Sequence, residues 1–252
     1  MARYQLTLAY DGTEFFGSQR QASKRTVQGE LEKALGKIGW TGRSVILSGR
    51  TDTGVHAWGQ VASVDLHWLH SEGDLLRALN AELPSDMAVH NARIVDPNFH
   101  PRFDARSRCY RYRLFCQPFR HPLRERFAWR VWPETQPDLL ADAAKLFLGT
   151  HDFAAFGSPT TPKGTTVRTV MKAEWMQVEK DEWQFEVQAD AFLYRMVRRL
   201  VFVQVSVAQG RFPGKTIARS LADPAPAGKR SELHAGLAPA HGLVLVEVTY
   251  SS

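Results

Sequence analysis

The chain has 252 residues, 32 of them Lys or Arg and 26 Asp or Glu, for a formal net charge of +6 at pH 7. Its 44% hydrophobic and 23% charged residues exclude a disordered tail or fibrous repeat, and the length suits one large domain or two of roughly 100–150 residues. No apolar run approaches the ~18–20 residues of a membrane span, and the alternating start, with Asp11 and Glu14, is unlike a signal peptide; a cytoplasmic protein with no membrane contact is expected.

In chain order, residues 4–10 alternate polar and apolar as a strand does. Val27, Leu31, Leu35 and Ile38 follow helical spacing behind Thr26, a suitable N-cap. A short strand near 45–47 and a longer one near 60–66 come next, then a helix near 74–83 stopped by Pro84 and a strand near 87–95. The order is β-α-β-β-α-β. The second half repeats it with a strand through Tyr110, Tyr112 and Leu114, and a helix over Leu139–Phe147 ended by Gly149. Strands near 169–178 and 183–189 follow, then an apolar helix near 193–207, a small helix near 215–221 and a last strand at 243–250. This predicts an α+β fold of two ferredoxin-like βαββαβ halves, joined around a central, mostly antiparallel sheet with a cleft between them. The N-terminal half is placed at residues 1–100 and the C-terminal half at 101–252. Segments 157–166 and 222–228 read as loops.

The positive surplus is local. Between Arg102 and Arg130 there are nine arginines against two acids, Asp104 and Glu125, a balance of +7, so the other 223 residues sum to −1. Arginine's planar fork suits phosphate oxygens and stacks on bases, so this segment points to nucleic acid; a solvated surface charged for solubility is the plainer reading. Within it, FHPRFDARSRCYRYRL (99–114) interleaves aromatics with arginines, as RNA-binding surfaces do; a half-buried strand whose tyrosines merely pack has the same pattern. Cys109 and Cys116, seven residues apart on an extended run, face opposite sides and are expected to form neither a disulfide nor a metal pair.

The densest signal is SGRTDTGVHAWGQV (48–61), which sets Asp52 at a tight bend between strands, two residues from Arg50. Arg50 and nearby donors can hold that carboxylate ionised, ready to act as nucleophile or general base; an Asx-turn with a structural ion pair is the alternative. The bend YDGTEFFGSQRQ (10–21) carries Gln19, Arg20 and Gln21 beside Phe15 and Phe16, as a binding loop or a plain hairpin rim. In DAFLYRMVRRLVFVQV (190–205), Arg195, Arg198 and Arg199 sit in the first turns, opposing the helix dipole, which suggests they answer an anion, Asp52 or a phosphate. GRFPGKT (210–216) has too few residues between its glycines for a P-loop, and no HExxH or cysteine pair completes a zinc site, so no metal is expected.

Taken in register, YDGTEFFGSQRQ, GRTDTGVHAWGQV, LNAELPSDMAV, FHPRFDARSRCYRYRL, GTHDFAAF, FLYRMVR and APAHGLVLVEVTY resemble the TruA-type tRNA pseudouridine synthases over nearly the whole chain. The resemblance implies a cofactor-free isomerase that converts uridine to pseudouridine at positions 38, 39 and 40 of the tRNA anticodon arm, acting as a homodimer. It implies Asp52 as catalytic nucleophile and Arg50 as a residue that positions the flipped nucleotide. It also implies Tyr110 stacked on the uracil, Arg198 paired with Asp52, Leu243 lining the uracil pocket and Arg20 meeting phosphate. Ser18 stands where the family usually has an aromatic residue, implying an altered loop contact with RNA, and Phe202 where it tends to have glycine, implying altered helix packing. The rival from another class is a non-catalytic RNA-binding module or RNA chaperone that uses only the Arg/Tyr-rich segment.

Overall fold

In the computed structural model, which describes residues 1–161, 164–224 and 233–251, the chain forms two compact units. One comprises Met1–Arg106 with Val244–Ser252, the other Ser107–Leu243. Both crossings fall inside strands, not in a linker. Parts of the two predicted loops, 162–163 and 225–228, lie outside the described residues.

Period-two burial makes β1 (Ala2–Tyr10) a core strand: Tyr4, Leu6, Leu8 and Tyr10 are all buried. The Thr26 side chain accepts the Gly29 N–H and starts α1 (Val27–Lys37), which buries Val27, Leu31, Ala34 and Leu35 along one stripe. Strands β2 (Ile46–Leu47) and β3 (His56–Leu66) follow. A reciprocal Ser71–Asp74 capping box then opens α2 (Glu72–Glu82), which leads to β4 (Met87–Val95). The strand order is β4-β1-β3-β2, antiparallel throughout, which is the ferredoxin-like arrangement. The last strand, β10 (Leu243–Tyr250), runs parallel to β3 through Val244–His56 and Leu245–Ala57. It takes the stretch of the β3 edge that β2, paired at Ala62 and Ser63, leaves open.

The second unit contains β5 (Ala105–Cys116, entered from the first unit), β6 (Trp129–Val131), α3 (Pro137–Lys145), β7 (Gly149–Asp152), β8 (Val167–Glu179), β9 (Glu182–Ala189), α4 (Met196–Ala208) and α5 (Lys215–Ala222). Its strands lie in the order β5-β9-β8-β7, antiparallel, with β6 parallel to β5. Tyr112, Phe115, Phe147, Phe153, Phe156 and Phe185 are fully buried. The class is α+β with mostly antiparallel pairing, as the sequence predicts.

Two elements start three or more residues from where the sequence places them, and two strands are new. Strand β3 begins at His56 instead of residue 60, because Gly54, at φ 78°, turns the chain straight into it. Helix α4 begins at Met196 instead of 193, because Tyr194 is bridged to Ser158 and Arg195 is left-handed at φ 62°. Strands β6 and β7 were not expected; they are too short for a period to register.

The arginine surplus is partly consumed within the second unit. Arg111 pairs with Glu186 (2.9 Å), Arg113 with Glu182, and Arg124 with both Asp181 (2.9 Å) and Glu182 (3.0 Å). Arg120 and Arg130 both reach Glu125, at 3.1 and 3.7 Å. The hydrogen bond from Arg124 holds the Asp181 carboxyl below its usual range, and those from Lys172 and then Arg111 do the same for Glu186. Depressed folded-state values contribute stability that is present above the unfolded values of about 4 and lost as pH falls through the folded ones. Thermal unfolding followed by circular dichroism should therefore show a midpoint that is level from pH 7 to about 5 and falls below about pH 4. Arg124→Gln should flatten that fall.

Candidate active site

Asp52 lies half-buried in the turn between β2 and β3, where its carbonyl accepts the Val55 N–H (3.1 Å). The residue before it is held from three directions. Ser18 N donates to Thr51 O (3.1 Å), Thr51 N donates to Ser18 Oγ (2.8 Å), and the hydroxyls of Thr51 and Tyr10 share a hydrogen bond (2.8 Å). Tyr10, Ser18 and Thr51 are all buried. Burial pushes the Tyr10 phenol up to about 12, against the opposing effect of its bonds to Thr51 and Gln60, so it stays neutral at working pH. Upstream, Ser48 Oγ donates to Gln60 Oε1 (2.6 Å) while Gln60 Nε2 donates to Gly49 O (3.1 Å).

Downstream of Asp52 the turn is fixed again. Gly12 N donates to Nδ1 of buried His56 (2.9 Å), and the same nitrogen lies 3.1 Å from Asp11 Oδ1. Gly12 packs so closely on the turn that a Cβ there would fall 2.1 Å from Val55 O. Gly17, at φ 84°, faces Thr51 O in the same manner, with 2.9 Å to an added Cβ. The segment Tyr10–Ser18 thus wraps residues 51–56 on both sides of Asp52, and the carboxylate projects from a backbone with little freedom.

Ser18 is fully buried and serves this clamp. Phe202 does affect packing: a Cβ on Gly236 would lie 2.3 Å from its ring. Arg50 is exposed beside Asp52. Arg20 is half-exposed at the tip of the bend and donates to Glu32 Oε2 (2.8 Å) and Arg43 O (3.2 Å).

The second unit holds the other sequence-predicted residues. Tyr110 is buried on β5, with its ring edge-on to Phe192 at 5.1 Å. Two residues along the same face, Tyr112 donates its hydroxyl to Pro239 O (2.9 Å); burial drives its pKa well up, against the opposing charge of Arg198. Arg198 Nε donates to Ala238 O (2.8 Å), and Ala238 N returns a bond to Arg198 O (3.1 Å). Gly242 packs on the Tyr112 ring and leads into buried Leu243. Segment 238–243 is therefore fastened to β5 through Tyr112 and to α4 through Arg198. Arg199 meets the carbonyl oxygens of Leu233, His234 and Gly236, and burial lowers its pKa. Backbone dipoles thus supply the negative partner expected for that helix-end cation.

Sequence reasoning passes over Tyr10, Thr51, Gln60 and the Asp11–His56 contact. Tyr10, Gln60 and His56 share one signal, a polar group at a buried strand position near the Asp52 bend, visible only once strand phase is known. Cys109 and Cys116 are not joined in a disulfide. Among the described residues, no group of three His, Cys, Asp or Glu gathers as a metal site would.

A rigidly mounted carboxylate, on a chain whose surplus charge is arginine, suits an enzyme acting on an RNA substrate. A family model described as tRNA pseudouridine synthase matches residues 7–104 and 143–251. The tRNA pseudouridine synthase A of Limosilactobacillus fermentum is 39% identical, with 100% of this chain and 97% of that protein aligned. Those of Solidesulfovibrio magneticus and Methylacidiphilum infernorum are each 42% identical, aligned over 100% and 98% of this chain and 92% and 95% of their own. The chain belongs to the tRNA pseudouridine synthase family. It is an isomerase that converts uridine in tRNA to pseudouridine.

Tyr10→Phe removes one anchor of Thr51 and leaves that buried hydroxyl short of a partner, at a cost of about 1–3 kcal/mol. The expected outcome is a lower unfolding midpoint and a reduced kcat with KM for tRNA nearly unchanged, read from steady-state pseudouridine formation.

Proposed function

We propose that this enzyme modifies uridines at positions 38, 39 and 40 of the tRNA anticodon arm, with Asp52 as the catalytic nucleophile. The observation that carries the assignment is the turn at Asp52, anchored through Thr51 on one side and Val55–His56 on the other. A module that only binds RNA has no use for a carboxylate held in this way. The match to the tRNA pseudouridine synthases A supports the substrate class.

The target base lies in a stacked stem and is flipped out, at a cost of roughly a few kcal/mol. Tyr110 stacks on the extruded uracil and recovers part of that, ~1–3 kcal/mol per base. Arg50, exposed beside Asp52, helps to position the flipped nucleotide. Arg198 is proposed as the partner of Asp52, and Leu243 as an apolar wall of the uracil pocket. Arg20 and, within 102–113, the exposed Arg102 and Arg106 contact phosphates.

The carboxylate of Asp52 attacks C1′ as N1 departs. The freed uracil anion then turns in its pocket so that C5 faces C1′, C5 bonds to C1′ as the Asp52 carboxylate is released, and the C5 proton passes to solvent while N1 takes one up. The only groups this scheme requires are side chains of the chain itself, so the reaction is proposed to run without cofactor or metal. The acting form is proposed to be a cytoplasmic homodimer in which one tRNA touches both subunits.

Asp52→Asn keeps the turn's shape and removes the nucleophile. In a tritium-release assay on tRNA labelled with 5-[³H]uridine, its turnover is expected below about 10⁻³ of wild type. Its affinity for tRNA should stay within about threefold. Near-normal turnover by a clean preparation would overturn the assignment.

A further inference from the structure

A tight turn follows β4 in the first unit, and nearly all of its polar atoms are committed. His100 N donates to Asp104 Oδ2 (2.8 Å) and Asp104 N donates back to His100 O (3.0 Å). Nδ1 of His100 accepts the N–H groups of both Arg102 and Phe103, each at 3.2 Å. Its base is tied to the rest of the unit as well. Tyr250 donates to Pro101 O (2.8 Å), Arg3 donates to Phe99 O (3.2 Å), and the Phe99 ring meets Tyr250 edge-on at 5.1 Å.

This rigid turn holds out one aromatic ring. Phe103 is 75% exposed, and one of its faces stacks on the His100 imidazole, with centroids 4.2 Å apart and planes 27° from parallel. A Phe left in water on a turn that is already closed by hydrogen bonds adds nothing to the core. Its immediate neighbours are Arg102 and Asp104, both exposed, and Arg106 lies just beyond, its Nε donating to Ser251 Oγ (2.6 Å). A single flat apolar face, backed by a second ring and flanked by guanidinium groups, is too small and too charged at its margin for an apolar protein patch. It has the size and chemistry of a platform for one planar base with its phosphates alongside.

We propose that Phe103, braced by His100, is a stacking platform for an unpaired base of the RNA substrate. This base is distinct from the uridine that reacts, which is assigned to Tyr110. The proposal rests on the reading of the chain as a tRNA-modifying enzyme and adds a recognition element to it. His100 acts as a positioning residue, setting the ring plane through its stack and its two backbone bonds.

The test is a kinetic comparison of wild type, Phe103→Ala, Phe103→Trp and His100→Ala on full-length tRNA, with unfolding midpoints and sedimentation coefficients measured alongside. For Phe103→Ala the expected result is a KM raised about 5- to 150-fold, the equivalent of ~1–3 kcal/mol of stacking at about 1.4 kcal/mol per tenfold. Turnover at saturating tRNA, the unfolding midpoint and the sedimentation coefficient should be unchanged. Phe103→Trp should restore KM, and His100→Ala should raise it by a smaller factor. Abasic substitution at the stacked nucleotide should reproduce the Phe103→Ala loss in wild type and add nothing in the variant. An unchanged KM in Phe103→Ala, or a KM shift accompanied by a changed sedimentation coefficient, would overturn the platform. Wild type serves as the control: if it forms no pseudouridine, the functional reading fails, and if only the Phe103 variants behave as wild type, the platform alone fails.

Discussion

The structure of the first unit turns on the need to satisfy every polar atom buried around Thr51. Once Tyr10, Ser18 and Thr51 are removed from water, their hydroxyls and amides must find one another, because each left unpaired costs about 1–3 kcal/mol. That requirement selects one path for residues 48–56. Glycine at 12 and 17 is what lets strand and turn approach to the distance those bonds need. The constraint therefore links the core strand β1 to the orientation of the Asp52 carboxylate, and it does so through neutral groups that ordinary pH changes leave alone. The attack proposed for Asp52, on a single carbon of a flipped nucleotide, gains most from restricting the acid before the substrate arrives.

Arginine has two uses in this chain. Arg111, Arg113 and Arg124 face Glu182, Glu186 and Asp181, so much of the cationic segment is spent holding the β8–β9 hairpin against β5. Arg199, and Arg198 through its Nε, instead hold backbone carbonyls that fasten the approach to β10. The sequence balance of +7 therefore overstates the charge that this segment leaves outside ion pairs within the protein. Arg50, Arg102 and Arg126 are exposed, and Phe103 stands next to one of them.

The order of elements in the first unit was legible because each rests on local information: alternation in β1, the Thr26 cap, Pro84 after α2. Asp52 stood out for a similar reason, since a carboxylate bracketed by glycines is a short-range pattern. Tyr10 and His56 were not legible as site residues, because their partners lie 41 and 44 residues away and nothing in their own neighbourhood marks them. The arginine pairs escaped for the same cause: Glu182 and Glu186 lie about 70 residues beyond Arg113 and Arg111 and meet them only through the β5–β9 register. Arg195 shows the limit of periodicity from the other side. The apolar pattern runs through it, yet its left-handed backbone delays the helix to Met196.

The rigid mounting of the Asp52 turn is tested most directly by amide hydrogen exchange on the wild-type protein at Gly12, Ser18, Thr51 and Val55. If the buried clamp sets this loop, these four amides exchange within about tenfold of the core amides of β1 and β3, opening only when the unit itself opens. Exchange of Thr51 and Val55 at the rate of freely exposed loop amides, with β1 and β3 still protected, would contradict it.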